Sequence, residues 1–160
     1  MMMELKDRVK DAQIFTKLDL KDGFHLIRIR QGDEWKTVFR THYGLYEYKV
    51  MPFGLVNAPA TFQTMMNDIV REFRDDGVVV YTDDILIYSK DPKDHTTLGR
   101  KVFQQLGDFQ MAISLEKSLF QVKTVDFLGY VVATDGVTMK ENKVETIKAW
   151  KPPTSVLQGN

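Results

Sequence analysis

The chain has 160 residues, 43% of them hydrophobic, with 22 Lys and Arg against 22 Asp and Glu and no cysteine. That length predicts one domain with a sizeable core. The balanced charge lacks the basic excess of a dedicated DNA-binding domain, so any nucleic-acid contact must come from local patches or metal ions. The lack of cysteine excludes disulfides and thiolate metal sites and is neutral about compartment. No run of about 18 apolar residues exists, so no membrane span is expected. The start, Met1-Met2-Met3-Glu4, has no signal-peptide pattern.

Residues 4–12 read as a short charged helix, or as the tail of one beginning further upstream. Residues 14–20 (IFTKLDL) are strand-type and end in a Lys-Asp-Gly turn at 21–23. Residues 24–30 (FHLIRIR) alternate, which predicts a half-buried strand. A turn follows at 31–33. Residues 37–41 and 45–50 suggest a hairpin around Tyr43-Gly44. Asn57-Ala58-Pro59 opens a helix: Asn57 can cap it, and a proline in the first turn costs no hydrogen bond. Phe62, Met65, Met66, Ile69, Val70 and Phe73 then form an amphipathic stripe that ends at Asp76-Gly77. Residues 78–88 (VVVYTDDILIY) outline a tight hairpin interrupted by two aspartates. Asp91-Pro92 starts a second helix with Leu98, Val102, Leu106 and Phe109 on one face. Gly99 and Gly107 weaken that helix, each by about 1 kcal/mol relative to Ala. Short strands are expected near 112–115 and 125–132, a turn at Asp135-Gly136, and a last helix over 141–150. The order is that of an α+β fold: an antiparallel sheet with helices packed on one face.

Asp83-Asp84 needs an explanation. Adjacent carboxylates at a hairpin tip repel one another unless a cation neutralises them. Mg²⁺ takes hard oxygen ligands, usually one or two carboxylates plus substrate phosphates. Two such ions about 3.5–4 Å apart can activate an attacking oxygen and stabilise a leaving one. The plainer alternative is a solvated Asp-Asp turn. Asp19 is a further acid in an apolar, strand-like segment, where an unpaired charge is expensive. If its strand lies beside the 78–88 hairpin, three carboxylates converge on a two-metal site; otherwise Asp19 is a strand-end acid facing solvent.

The segments LDLKDGFHLIRI (18–29), VMPFGLVNAPATFQ (50–63), VVYTDDILIYS (79–89), SLEKSLF (114–120) and FLGY (127–130) resemble, in order and spacing, the palm motifs of reverse transcriptases, above all the gypsy-type LTR retrotransposon polymerases (Metaviridae). The resemblance implies a polymerase palm with part of the fingers over 1–151 and a linker toward a thumb over 152–160. It implies that Asp19, Asp83 and Asp84 are the catalytic aspartates and hold two Mg²⁺ ions, with Mn²⁺ able to substitute. Leu20, Asp22, Gly23, Phe24, Phe53 and Lys117 would meet the incoming dNTP. Phe24 falls where the family keeps an aromatic gate against a 2′-hydroxyl, a discrimination by clash; ordinary core packing is its alternative. Lys117 could neutralise or protonate the pyrophosphate, or be a solvated surface lysine. Pro52, Gly54, Asn57, Tyr81 and Thr82 would line primer and template. Phe127-Leu128-Gly129-Tyr130 resembles the primer grip, with a plain buried strand as the alternative. Arg28, Arg30, Lys36, Arg40 and Lys49, interleaved with Trp35, Tyr43, Tyr46 and Tyr48, suit either phosphate tracking with base stacking or the polar face of a sheet.

Three departures from the family pattern stand out. Thr82 occupies the variable position of the Tyr-x-Asp-Asp box, where an apolar residue is expected. The chain begins just before the first aspartate strand and ends where the family continues into the thumb, so a weak hold on primer–template is expected. The implied activity is RNA-directed DNA polymerisation, with primer–template and dNTPs as partners, no membrane, and an intracellular setting such as cytoplasm or a retroelement particle. The alternative is a catalytically silent palm that binds nucleic acid or protein, with self-association through exposed sheet. A third alternative is another metal-dependent palm-like enzyme, such as a nucleotidyl cyclase.

Overall fold

The computed structural model describes residues 2–140. At its centre is β1 (Ile14–Asp19), with Phe15 and Leu18 buried on opposite faces. The hairpin of β4 (Val78–Tyr81) and β5 (Asp84–Ser89) lies on one side of it, and β6 (Leu119–Val122) lies on the other, in the order β4-β5-β1-β6. All pairings are antiparallel. Alternation along these strands divides the side chains between two cores. Leu18, Ile85, Ile87 and Val78 face α2 (Ala58–Ile69) and α3 (Pro92–Asp108), while Phe15 and Leu86 face the other way. That second core is closed by α1 (Met2–Val9) and by a three-stranded meander of β7 (Thr124–Phe127), β8 (Tyr130–Ala133) and β9 (Gly136–Met139). The α+β expectation of an antiparallel sheet with packed helices is borne out, with α2 and α3 on one face and the short α1 beside the meander on the other.

The apolar stripe of α2 is real: Phe62, Met66, Ile69, Val70 and Phe73 are all buried. The regular helix stops at Ile69, however, and a 3-10 turn carries the stripe on through Arg71–Phe73. Asn57 precedes α2 without accepting a side-chain cap bond. Asp91 does cap α3, its Oδ1 accepting from the Lys93 amide at 2.7 Å. On α3, Val102 and Leu106 are buried, whereas Phe109 lies past the last turn and is exposed. Gly99 and Gly107 have open space where a Cβ would go. Gly99→Ala and Gly107→Ala are therefore each expected to stabilise the fold by about 1 kcal/mol, read as a higher urea midpoint at unchanged slope.

Several predicted strands take another form. Residues 24–30 do not make a strand. Asp22 adopts φ 54° and a 3-10 turn spans Gly23–Leu26, because Phe24 turns inward to stack on Phe62. The alternation survives only in Ile27 and Ile29, which are extended against 49–51 through the Ile29 amide to Lys49 O (3.0 Å) and the Met51 amide to Ile27 O (2.8 Å). The ribbon of β2 (Phe39–Thr41) and β3 (Gly44–Tyr46) is shorter than expected, with His42-Tyr43 as its turn. Of 112–115, only Ile113 pairs, in a single bridge to Leu20. The expected strand over 125–132 is two strands: Leu128 and Gly129, at φ 52° and 80°, turn β7 into β8. The helix expected over 141–150 and the linker over 152–160 lie outside the described residues.

His95 ties α3 to the sheet from a buried position. Ser89 Oγ donates to Asp91 O and so accepts from the Nδ1–H of His95 at 3.0 Å. Thr16 Oγ accepts the Gln121 amide and so donates to Nε2 at 2.8 Å. Both ring nitrogens are thus satisfied in the neutral form, and burial lowers the pKa below its usual 6.5. The unfolded chain takes up a proton near pH 6.5 that the folded chain refuses. This residue's stability contribution is complete above that pH and declines as pH falls toward the folded value. Urea midpoints measured from about pH 7 to about pH 5 should fall, and His95→Gln should flatten the part of the slope due to this residue.

Candidate active site

The acids singled out in the sequence meet at one end of the central sheet. Asp19 is the last residue of β1 and Asp84 the first of β5, and the two are direct register partners. Asp83 lies in the two-residue turn between β4 and β5, its carbonyl accepting the Leu20 amide at 3.1 Å. Antiparallel pairing of β1 with β5 is what brings residues so distant in sequence together.

Each carboxylate has a local partner. Lys17 Nζ lies 2.9 Å from Asp84 Oδ1, with side chains 20% and 26% exposed. Lys117 Nζ lies 3.9 Å from Asp19 Oδ1, with exposures of 72% and 19%. Thr82 Oγ donates to Asp83 Oδ1 at 2.8 Å. Among the described residues, no three Asp, Glu or His side chains are gathered at ligating distance of one point. The donor set nevertheless fits a hard divalent ion: hard carboxylate oxygens at one sheet end, with two of the acids already drawing lysine ammonium groups.

The turn that carries Asp83 is held from α2. Gln63 Oε1 accepts the Thr82 amide at 2.7 Å, and its Nε2 donates to Val80 O at 3.3 Å. Thr82 has φ 50°, a conformation that costs a β-branched residue energy. The Gln63 clamp and the single hydroxyl donor of Thr82, within reach of both Tyr81 O and Asp83 Oδ1, offset that cost. On the other side, the loop carrying Lys117 is tied to β1. Ser114 N donates to Asp19 O at 2.9 Å, and the Asp19 amide donates to Ser118 Oγ at 3.2 Å.

Five residues past Asp19, Phe24 stacks on buried Phe62 with centroids 4.6 Å apart and packs against Phe53 at 5.1 Å. Phe24 is itself only partly buried, so core packing accounts for one side of its ring. Gly23 is required here: a Cβ would lie 2.7 Å from Phe62 Cζ. Pro52 is buried, whereas Phe53, Gly54 and Asn57 are exposed. Phe127 is buried in the second core, Tyr130 packs against that core, and Leu128 lines a cleft shared with Tyr81. Arg28, Arg30 and Lys36 line one cleft with Asn57. Arg40 and Lys49 are not among its lining residues.

The family model described as reverse transcriptase (RNA-dependent DNA polymerase) matches residues 2–132. The chain belongs to the reverse transcriptase family. This reverse transcriptase chain is 41% identical over 150 residues to the transposon Tf2-3 polyprotein of Schizosaccharomyces pombe, covering 94% of the chain and 11% of the polyprotein. It therefore spans about a tenth of the length of the curated relatives it matches. The resemblance to retrotransposon polymerases is borne out at family level. A foamy viral protease-reverse transcriptase in complex with an RNA/DNA hybrid superposes with a TM-score of 0.77 at 26% identity, covering 88% of this chain and 19% of that one. A form of that protein in complex with double-stranded DNA superposes at 0.85 over 99% of this chain and 28% of that one; at 23% identity it supports the fold alone.

Four residues around the site escaped the reading from sequence. Gln63 ends the segment 50–63 but reads only as helix. Ser114 and Ser118 bond to backbone, which no side-chain pattern reveals. Lys17 did leave a signal, a cation between Phe15 and Leu18 in an otherwise apolar strand.

Proposed function

We propose that this chain is the palm of a reverse transcriptase that adds dNTPs to a primer 3′ end on an RNA or DNA template. The observation that carries this reading is the register pairing of Asp19 with Asp84, with Asp83 in the adjoining turn. In this reading Asp19, Asp83 and Asp84 would hold Mg²⁺, which when bound supplies Lewis acidity to the attacking hydroxyl and the leaving pyrophosphate. The chain's own residues set the geometry. Gln63 fixes the turn that presents Asp83. Ser118 holds the backbone of Asp19. Phe24, backed by Phe62 and Phe53, is a rigid wall that would exclude a 2′-hydroxyl by clash. Lys117, largely exposed and only loosely paired with Asp19, would be placed to meet a developing negative charge on pyrophosphate. The cleft of Arg28, Arg30 and Lys36 suits phosphate oxygens, and Tyr81 with Leu128 suits the primer end.

The test is primer extension on primed RNA and primed DNA with dNTPs and Mg²⁺, comparing the chain with Asp19→Asn. Extension that the substitution removes is the expected result. A folded chain that extends nothing and binds no Mn²⁺ would defeat the polymerase reading; one that binds Mn²⁺ through the aspartates without extending would keep the metal site and lack the grip on primer–template. One observation favours a second reading, a palm used for interaction: Trp35, Tyr43 and Leu45 are 64%, 88% and 71% exposed on and beside the β2–β3 ribbon. Concentration-dependent sedimentation without extension would support it.

A further inference from the structure

Lys17 and Asp84 form the better shielded of the two ion pairs at the acidic end of the sheet. Along β1, Lys17 and Asp19 share one face; across it, Leu86 opposes Lys17 and Asp84 opposes Asp19. Lys17 and Asp84 are therefore diagonal neighbours, within reach of a long side chain. The stem of Lys17 runs beside buried Phe15 and Leu86, and its ammonium group emerges at Asp84. Lys117, at 3.9 Å and largely exposed, is different: a pair of that kind is held loosely and screened by solvent. With about a fifth of its side chain exposed, Lys17 has little freedom to leave.

We infer that Lys17 is a positioning residue whose ammonium group is a resident counter-cation for Asp84, which a divalent metal must displace before Asp84 can join Asp19 and Asp83. This rests on the two-metal reading above and adds a competition internal to the chain. In the free protein, Lys17 relieves the repulsion between the paired carboxylates and keeps the sheet end folded. Its charge opposes an incoming cation, and its bond engages an oxygen that the metal needs. Metal binding and release of Lys17 are consequently coupled, and the coupling is reciprocal.

Mn²⁺ titration followed by the electron paramagnetic resonance of the free ion tests this on the full chain, with Lys17→Met and Lys17→Arg. Methionine keeps the length and apolar packing of the stem but removes the charge. Lys17→Met should bind Mn²⁺ on the order of tenfold more tightly, and Lys17→Arg should remain near the parent affinity. A second measurement needs no substitution: acylation of Lys17 by an amine-reactive ester, read by peptide mass spectrometry, should accelerate when Mg²⁺ is added. Unchanged or weaker Mn²⁺ binding by a folded Lys17→Met protein would overturn the inference, as would an acylation rate indifferent to Mg²⁺. Asp19→Asn separates the two levels. If it leaves Mn²⁺ binding of the parent chain intact, the metal-site reading itself fails; if it weakens binding while Lys17→Met changes nothing, only the role of Lys17 fails.

Discussion

Asp19→Asn is expected to lower primer extension by roughly 10²–10³-fold while leaving the fold slightly more stable. The two effects have opposite signs because the same charge does two things. In the reaction it is one of three carboxylates expected to bind the ions, and asparagine supplies one neutral oxygen in place of a charged pair. In the folded chain it stands directly opposite Asp84, and like charges at such positions cost about 0.2–1 kcal/mol. What it loses is small, because its partner Lys117 is 3.9 Å away and largely exposed. Thermal melts run beside the extension assay decide the matter. A variant with both lower activity and a clearly lower melting temperature would mean that Asp19 is structural and that its loss acts through unfolding.

The largest loss of stability is expected at Phe62→Ala, about 3–5 kcal/mol. Phe62 is fully buried, stacks on Phe24, and fills the space above Gly23. A domain of this size has a margin of only about 5–15 kcal/mol, so the variant should unfold at a far lower urea concentration. The contact with Gly23 supplies an internal check. Gly23→Ala alone pushes a methyl group into the Phe62 ring and should cost about 1–3 kcal/mol. Phe62→Leu opens that space, so the double variant Gly23→Ala/Phe62→Leu should cost less than the sum of the two. Strict additivity in urea unfolding would show that the ring yields to the new methyl group without strain.

The acids, the two long helices and the central hairpin were legible because each rests on a local signal. The stripe from Phe62 to Phe73 has helical spacing, and the aspartate pair interrupts two β-forming runs. Errors arose where a distant partner decided the outcome. Residues 24–30 alternate as a strand does, but Phe24 gains more by stacking on Phe62, which lies on α2. The division of 125–132 depends on Leu128 adopting a left-handed conformation that its side chain does not favour. Asn57 suits a cap, yet its side chain accepts no cap bond. At the site, Lys17 was invisible as a partner of Asp84 because the contact is diagonal across two strands far apart in the chain.

The strand order β4-β5-β1-β6 also dictates when the site can come into being. Asp19 lies on a strand flanked on both sides by later segments, and the serine that holds its amide is 99 positions downstream. On a ribosome, β1 must wait for the β4–β5 hairpin before it has one neighbour and for β6 before it has the other. Pairings of such long range form slowly, since the loop between them must close first. The helices, by contrast, can form as soon as they emerge. During that interval β1 presents Phe15 and Leu18 with no partner strand, a species prone to aggregation. The nascent chain thus passes its most vulnerable stage before its acidic centre exists, and synthesis at low temperature is expected to raise the yield of soluble protein.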